Sequence, residues 1–162
     1  MIIILVIGCD TSENTNNEID IDTNWRDIPF KDVNSGKMMT VSDFSGKPIL
    51  IHIFALWCPN CWRLDNELKE LKGEVELISF DTEPTENETQ LKEYVDRFNF
   101  GWYFANPPPE LTISLINEIG IEAVSPKYVP ILLVCEDQSA RLLGKGMKTA
   151  EVLREEIEKG CN

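Results

Sequence analysis

The chain is poor in histidine, in basic charge and in long apolar runs. His52 is the only histidine among 162 residues, and only one C-x-x-C is present. A structural zinc site draws four ligands from paired cysteines and histidines, so this supply excludes the common zinc-knuckle patterns. Fifteen Lys and Arg against 28 Asp and Glu give a net charge of 15 − 28 = −13. A surface this acidic repels phosphate backbones, which removes nucleic acid from the expected partners. No apolar run approaches the ~18 residues needed to span a bilayer. The five cysteines, Cys9, Cys58, Cys61, Cys135 and Cys161, are too few and too irregularly spaced for a disulfide framework. Their odd number implies separate tasks. What remains is ordinary for a globular protein: 43% apolar and 27% charged residues, a length suited to one domain with appendages, and no internal repeat.

The N-terminus has its own character. MIIILVI is followed by Gly8 and Cys9 and then by the polar DTSENTNNEIDIDTN. This has the apolar core and small residue of a secretory signal but no basic n-region. Val6-Ile7-Gly8-Cys9 resembles a lipobox, the site at which bacterial and some archaeal lipoproteins are cleaved and lipidated on cysteine. The competing reading is a first β-strand that ends in Gly-Cys. We expect a leader over residues 1–8, lipidation at Cys9 and a flexible linker over 9–24, whose composition cannot bury enough surface to offset its ordering entropy. The folded domain is expected over 25–160. These features imply a membrane-anchored, extracytoplasmic protein, or a cytoplasmic one if the leader does not function.

Within the domain, strand and helix patterns alternate. IPFKDVNSGKMMTVSDF predicts a hairpin turning at Asn34-Ser35-Gly36, then a short turn at Ser42-Asp43-Phe44. PILIHIFAL is nearly continuous in apolar residues, as a central buried strand should be. Leu64, Leu68 and Leu71 recur at helical spacing up to Gly73. VELISFD predicts the next strand. Asn87 caps a helix through Phe98 with Leu91, Tyr94, Val95 and Phe98 as its apolar face, and the Asn87-Glu88-Thr89 sequon is read as that cap. GWYF, a helix over Leu111–Ile119, PILLVCE, ARLLGKG and a helix over Thr149–Lys159 complete the order β-β-β-α-β-α-β-α-β-β-α. That order implies an α/β fold with a mixed sheet and helices on both faces.

Cys58-Pro59-Asn60-Cys61 stands where the buried strand becomes a helix. A disulfide closing so short a loop constrains the unfolded chain little, so a structural staple is a poor reading. At a helix N-terminus, unpaired N–H groups and the dipole favour thiolate over thiol. Such surroundings lower a cysteine pKa from ~8.5 into the range ~3.5–7.5. Pro59 in the first turn costs no hydrogen bond. The spacing therefore predicts a redox dithiol: an exposed Cys58 thiolate attacks a partner disulfide and a covered Cys61 resolves the mixed disulfide.

FALWCPNC before a helix resembles the active site of the thioredoxin superfamily. The longer FKDVNSGKMMTVSDFSGKPILIHIFALWCPNC is similar to the TlpA/ResA-like thiol-disulfide oxidoreductases, with an N-terminal β-hairpin ahead of the thioredoxin fold. The resemblance runs from Pro29 to Lys159. It implies a cis-proline at Val129-Pro130 beside the cysteines, with Trp57, Val129 and Pro130 contacting substrate. It implies protein dithiol or disulfide substrates, an upstream electron donor or acceptor, and no organic cofactor, since the Cys58–Cys61 disulfide is itself the redox group. No metal is expected. A reductive role outside the cytoplasm, keeping haem-attachment or metal-binding cysteines reduced, is the commonest role implied. The alternatives are a Sco-like copper-binding assembly protein, which uses C-x-x-x-C and a distal histidine, and a peroxiredoxin-type thiol peroxidase, whose Pro-x-x-x-Thr-x-x-Cys loop has no counterpart here.

Three departures from the family matter. His52 stands where thioredoxins carry a buried acid and TlpA-like proteins often an asparagine. It is read either as a proton relay for Cys61 or as a hydrogen-bonded core histidine. Leu64 replaces the usual glutamate three residues after the second cysteine, and Asp65 is read as a partial substitute or, preferably, a solvated surface acid. The loop IEAVSPKYV is longer than usual, which makes Lys127 and Tyr128 candidates for partner choice. Cys135 is expected to be an inert buried hydrophobe and Cys161 frayed and unpaired. Trp25, Trp62 and Trp102 are expected to pack.

Overall fold

A computed structural model describes residues 23–161. The leader, Cys9 and nearly all of the linker lie outside the described residues. The elements follow the expected order: β1 (Phe30–Lys31), β2 (Met38–Met39), β3 (Ile49–Phe54), α1 (Pro59–Lys69), β4 (Glu76–Asp81), α2 (Glu88–Phe98), β5 (Tyr103–Ala105), α3 (Pro109–Ile119), β6 (Ile131–Val134), β7 (Ala140–Leu143) and α4 (Ala150–Lys159). Short 3-10 turns cover Trp25–Asp27, Val41–Phe44, Ile121–Val124 and Pro126–Tyr128.

The main sheet has the order β5-β4-β3-β6-β7, with β3 parallel to β4 and antiparallel to β6. Every residue of β3 is buried. Burying Ile49, Leu50, Ile51, Ile53 and Phe54 fully contributes about 1.5–3 kcal/mol each relative to exposure. Because side chains alternate along a strand, β3 feeds two cores. Leu50 and Phe54 join Leu64 and Leu68 of α1, Leu91 and Val95 of α2, and Leu153 of α4. Ile49, Ile51 and Ile53 join Leu111 and Leu115 of α3, Trp25 and Phe30. His52 therefore lies on the face that α1 covers.

Caps fix the helices. Asn87 Oδ1 accepts the N–H groups of Thr89 and Gln90 at 3.0 and 3.1 Å, and Gln90 Oε1 accepts the Asn87 N–H, which confirms the cap reading of the sequon. Glu67 of α1 accepts the Ala150 N–H at 3.0 Å and so ties the N-terminus of α4 to α1. Asp32 binds the hairpin to the sheet, accepting from Phe104 N at 3.1 Å and from Ser35 N at 2.8 Å.

One expectation fails at the far end of the sheet. Cys135, just after β6, and Cys161, just after α4, form a disulfide with a Cα–Cα distance of 6.0 Å. The spacing gave no hint, because the two meet only when β7 and α4 fold back over β6. The bridge closes a separation of 26 residues, which by chain-entropy reasoning stabilises the fold by about 3.5 kcal/mol. The Cys135→Ser/Cys161→Ser double variant should lose stability of about that size in urea titration while keeping the far-UV circular dichroism of the native fold.

Candidate active site

The end of β3 positions the cysteine pair. The chain leaves the strand at Phe54, and the Cys58 N–H closes a turn on the Ala55 carbonyl at 3.0 Å. Cys58 is the N-cap of α1: its extended backbone stops the strand, and its sulfur accepts the Cys61 N–H at 3.2 Å. The sulfur thus takes the place an oxygen holds in an ordinary cap, at the positive end of the helix dipole. Cys58 and Cys61 are joined as a disulfide with Cα atoms 5.2 Å apart. Cys61 is fully buried and Cys58 is 6% exposed. The asymmetry has the expected direction, but Cys58 is far more covered than an exposed nucleophile would be.

Part of the cover is the 3-10 strap ahead of β6. The Pro126 carbonyl oxygen lies 3.9 Å from each of the two sulfurs. Thr82, just past β4, holds the strap by donating its hydroxyl to the Val124 carbonyl at 3.0 Å. The Glu122–Lys145 ion pair and Lys145 over the Tyr128 ring fix its outer side. Lys127 and Tyr128 thus lie on a segment that touches the site, but it is the Pro126 carbonyl that reaches the sulfurs. The Val129–Pro130 bond is trans, against expectation. Val129 itself makes the reversal into β6, with φ 50° and ψ 55°, a left-handed conformation unusual for a β-branched residue. Pro130 then accepts the Ile53 N–H at 3.2 Å at the mouth of the sheet.

Trp57 and Trp62 flank the pair. Trp57 is 59% exposed, with its indole N–H donated to Glu83 Oε2 at 2.9 Å. That bond, with the Thr85 hydroxyl, holds the Glu83 carboxyl below its ordinary range. Trp62 is 41% exposed, not packed as expected, because it sits in the first turn of α1 facing out. The two indoles border a cleft of about 510 Å³ lined also by Cys58, Tyr94, Arg97 and Phe98.

No protein-family model matches the chain. An uncharacterised protein of Haemophilus influenzae is 28% identical over 102 residues, which span 60% of this chain and 61% of that relative's length. Among solved structures, a secreted Mycobacterium tuberculosis disulfide oxidoreductase homologous to E. coli DsbE superposes with a TM-score of 0.66 at 12% identity, over 83% of this chain and 97% of the other. BsSco, of the Sco family of cytochrome c oxidase assembly proteins, gives 0.64 at 17% identity over 81% and 89%. The exposed lipoprotein thioredoxin of Streptococcus pneumoniae gives 0.63 at 15% identity over 82% and 98%. The chain has a thioredoxin fold.

Behind the pair, this thioredoxin fold holds a polar chain that the sequence shows only in part. His52 Nδ1 is 2.9 Å from Asp65 Oδ1, and the Tyr94 hydroxyl donates to Asp65 Oδ2 at 2.7 Å. His52 and Asp65 are both fully buried, which corrects the reading of Asp65 as a solvated acid. Asp65 is one turn beyond Cys61 and takes the inward face with Leu64 and Leu68. With Asp65 as acceptor, the His52 proton sits on Nδ1. Nε2 is then buried without a partner, and in the neutral ring it carries a free lone pair. Burial, then the Asp65 charge and hydrogen bond, push the Tyr94 hydroxyl far above its ordinary range, so it stays a neutral donor. Sequence reasoning placed Tyr94 only on an apolar face, where its hydroxyl was the one overlooked signal. Leu64 is core, as expected.

A buried acid that accepts from two buried donors is costly to remove, since each donor loses its partner. Asp65→Ala should destabilise the fold by about 3 kcal/mol or more in chemical denaturation, and Tyr94→Phe by about 1–2 kcal/mol. Equal, small losses for both variants would contradict the bonding described.

Proposed function

We propose that the protein is a thiol-disulfide oxidoreductase whose W-C-P-N-C pair, Cys58 and Cys61, exchanges electrons with protein cysteines outside the cytoplasm. The observation that carries this reading is the Cys58–Cys61 disulfide at the N-terminus of α1, with the Cys58 sulfur accepting a helix N–H. Protein disulfides are the substrate class, reached past Trp57, Val129 and Pro130.

In the reductive direction the Cys58 thiolate attacks one sulfur of the substrate disulfide and displaces the other as a thiolate. Cys61 loses its proton and attacks Cys58 Sγ. The second substrate thiolate leaves, and two electrons have passed from the dithiol to the substrate. His52 lies on the sheet face that α1 covers, and its unpartnered Nε2 is suited to take the Cys61 proton, with Asp65 and Tyr94 holding the ring. The helix N-terminus supports a stabilised thiolate and hence a reducing or oxidising role set by the partner couple. A donor or acceptor must reset the pair after each turnover.

The extracytoplasmic location rests on the lipobox-like Val6-Ile7-Gly8-Cys9 and finds support in two likenesses of fold, to a secreted oxidoreductase and to an exposed lipoprotein. A lipid on Cys9 is the proposed anchor, on the strength of that lipobox-like sequence. The full chain should partition into detergent in its native host, and Cys9→Ser should return it to the aqueous phase.

A second reading follows from the likeness to BsSco, a copper-linked assembly role. Among the described residues no group of three or more His, Cys, Asp or Glu side chains is placed to hold a metal, and the His52 Nδ1 is engaged by Asp65. Insulin-disulfide reduction separates the readings: the wild type should be active, Cys58→Ser inactive, and Cys61→Ser should accumulate mixed disulfides. His52→Asn should slow the resolving step by about 100-fold and shift its pH profile. One equivalent of copper retained through dialysis with no exchange activity would overturn the proposal. An unchanged pH profile and redox potential in His52→Asn would remove the relay.

A further inference from the structure

Carboxyl groups cluster where β4 ends, beside the turn that bears Cys58. Asp81 is the last residue of β4 and pairs in register with Phe54, the last residue of β3. It is 2% exposed. Its Oδ1 accepts the Glu83 N–H at 3.1 Å and its Oδ2 accepts the Asn106 amide at 3.0 Å. The Glu86 carboxyl is within hydrogen-bonding reach of it. Glu86 Oε2 also accepts the backbone N–H of Leu56 at 2.7 Å, two residues before Cys58. One carboxyl of the pair is thus buried in the fold, and the other is clipped to the backbone of the reactive turn.

The surrounding ionisable groups are engaged elsewhere. His52 of β3 and Tyr94 of α2 bond to Asp65 of α1. Glu83 holds the Trp57 indole and Thr85, Glu88 pairs with Lys31 at the start of α2, and Glu122 of the strap pairs with Lys145. No cation bonds to Asp81 or Glu86 among the described residues. Two adjacent carboxylates without a cation repel one another, and a single proton between them turns the repulsion into a hydrogen bond.

We propose that Asp81 holds a proton that it donates to Glu86 and that, through the Glu86 bond to the Leu56 N–H, the two act as a positioning pair for the turn that carries Trp57 and Cys58. With the proton present, Asp81 donates to Glu86 and Glu86 stays on Leu56. When the proton leaves, Glu86 is pushed from Asp81, its bond to Leu56 weakens, and the turn loses its clip. Burial, opposed by the Glu83 N–H and reinforced by the Glu86 charge, pushes the Asp81 carboxyl up to about 7. The release therefore falls at neutral pH, with the turn held below that value and loosened above it. This inference deepens the proposed exchange activity and rests on it for its functional consequence alone.

The test follows backbone amides of the full, oxidised, isotope-labelled chain between about pH 5 and 9. The Leu56 and Glu83 amide resonances should move together with a midpoint near 7. Glu86→Gln should abolish that midpoint, because its amide oxygen accepts from Leu56 and its NH2 donates to Asp81 at every pH. Asp81→Asn should do the same from the other side and covers the case in which the first variant does not fold. In insulin reduction, the wild-type rate divided by the Glu86→Gln rate should fall by about tenfold between pH 6 and 8, the scale expected when a reacting group is misplaced by less than 1 Å. A Leu56 amide that does not move in this range, or that keeps its midpoint in both variants, overturns the shared proton. An amide midpoint without any change in the rate ratio overturns the positioning role. The amide measurement needs no exchange activity, so failure of the proton-sharing pair and failure of the proposed function give different results.

Discussion

The Cys58 sulfur accepts the Cys61 N–H, and nearly everything at the site depends on the constraint that makes this contact. β3 is buried on both faces and hydrogen-bonded on both edges, so it cannot slide. Moving its register by one residue would exchange its two side-chain faces and turn His52 away from α1. The strand must end at Phe54, because Ala55–Cys58 closes a turn and Pro59 can only begin a helix. A sulfur is thereby delivered to the end of a helix dipole without any charged side chain in the first turn of α1.

The two disulfides differ on the same ground. Cys58 stands at the N-terminus of a helix, where a thiolate gains from the dipole and from an N–H donor. Cys161 follows the C-terminus of α4, where the carbonyl end of the dipole opposes negative charge. A pair whose reduced form is stabilised opens readily, and one whose reduced form is not stays closed. The bridge between β6 and α4 thus lacks the thiolate support that the pair at α1 has, and the proposed function assigns exchange to the α1 pair.

Much of this was legible in the sequence, for physical reasons. The β3 run, the cap at Asn87, the hairpin at Asn34-Ser35-Gly36 and the inward Leu64 and Leu68 are local patterns, set by periodicity and capping chemistry. His52 stands out as the only histidine of the chain, at the strand position where the resemblance implies a buried acid or an asparagine. Other features were not legible, because they arise from contacts between distant segments. Asp65 looks like a surface acid until Tyr94, 29 residues later, is seen to cover it. Cys135 and Cys161 lack any shared local motif. The trans Val129–Pro130 bond, where a cis bond was implied by resemblance, goes with a left-handed Val129 that no propensity predicts. The Asp81–Glu86 pair is hidden for the same reason, since only the fold brings Glu86 to the Leu56 N–H.

The reactivity of the Cys58–Cys61 pair, set against that of Cys135–Cys161, is the most direct test of the proposed chemistry. The measurement is equilibration of the purified protein in thiol-disulfide buffers of graded potential, with thiol labelling and mass mapping of each cysteine. The account predicts that Cys58 and Cys61 open together, reversibly and first, while Cys135 and Cys161 remain joined. Opening of Cys135–Cys161 ahead of Cys58–Cys61, or failure of Cys58–Cys61 to open reversibly, would contradict it.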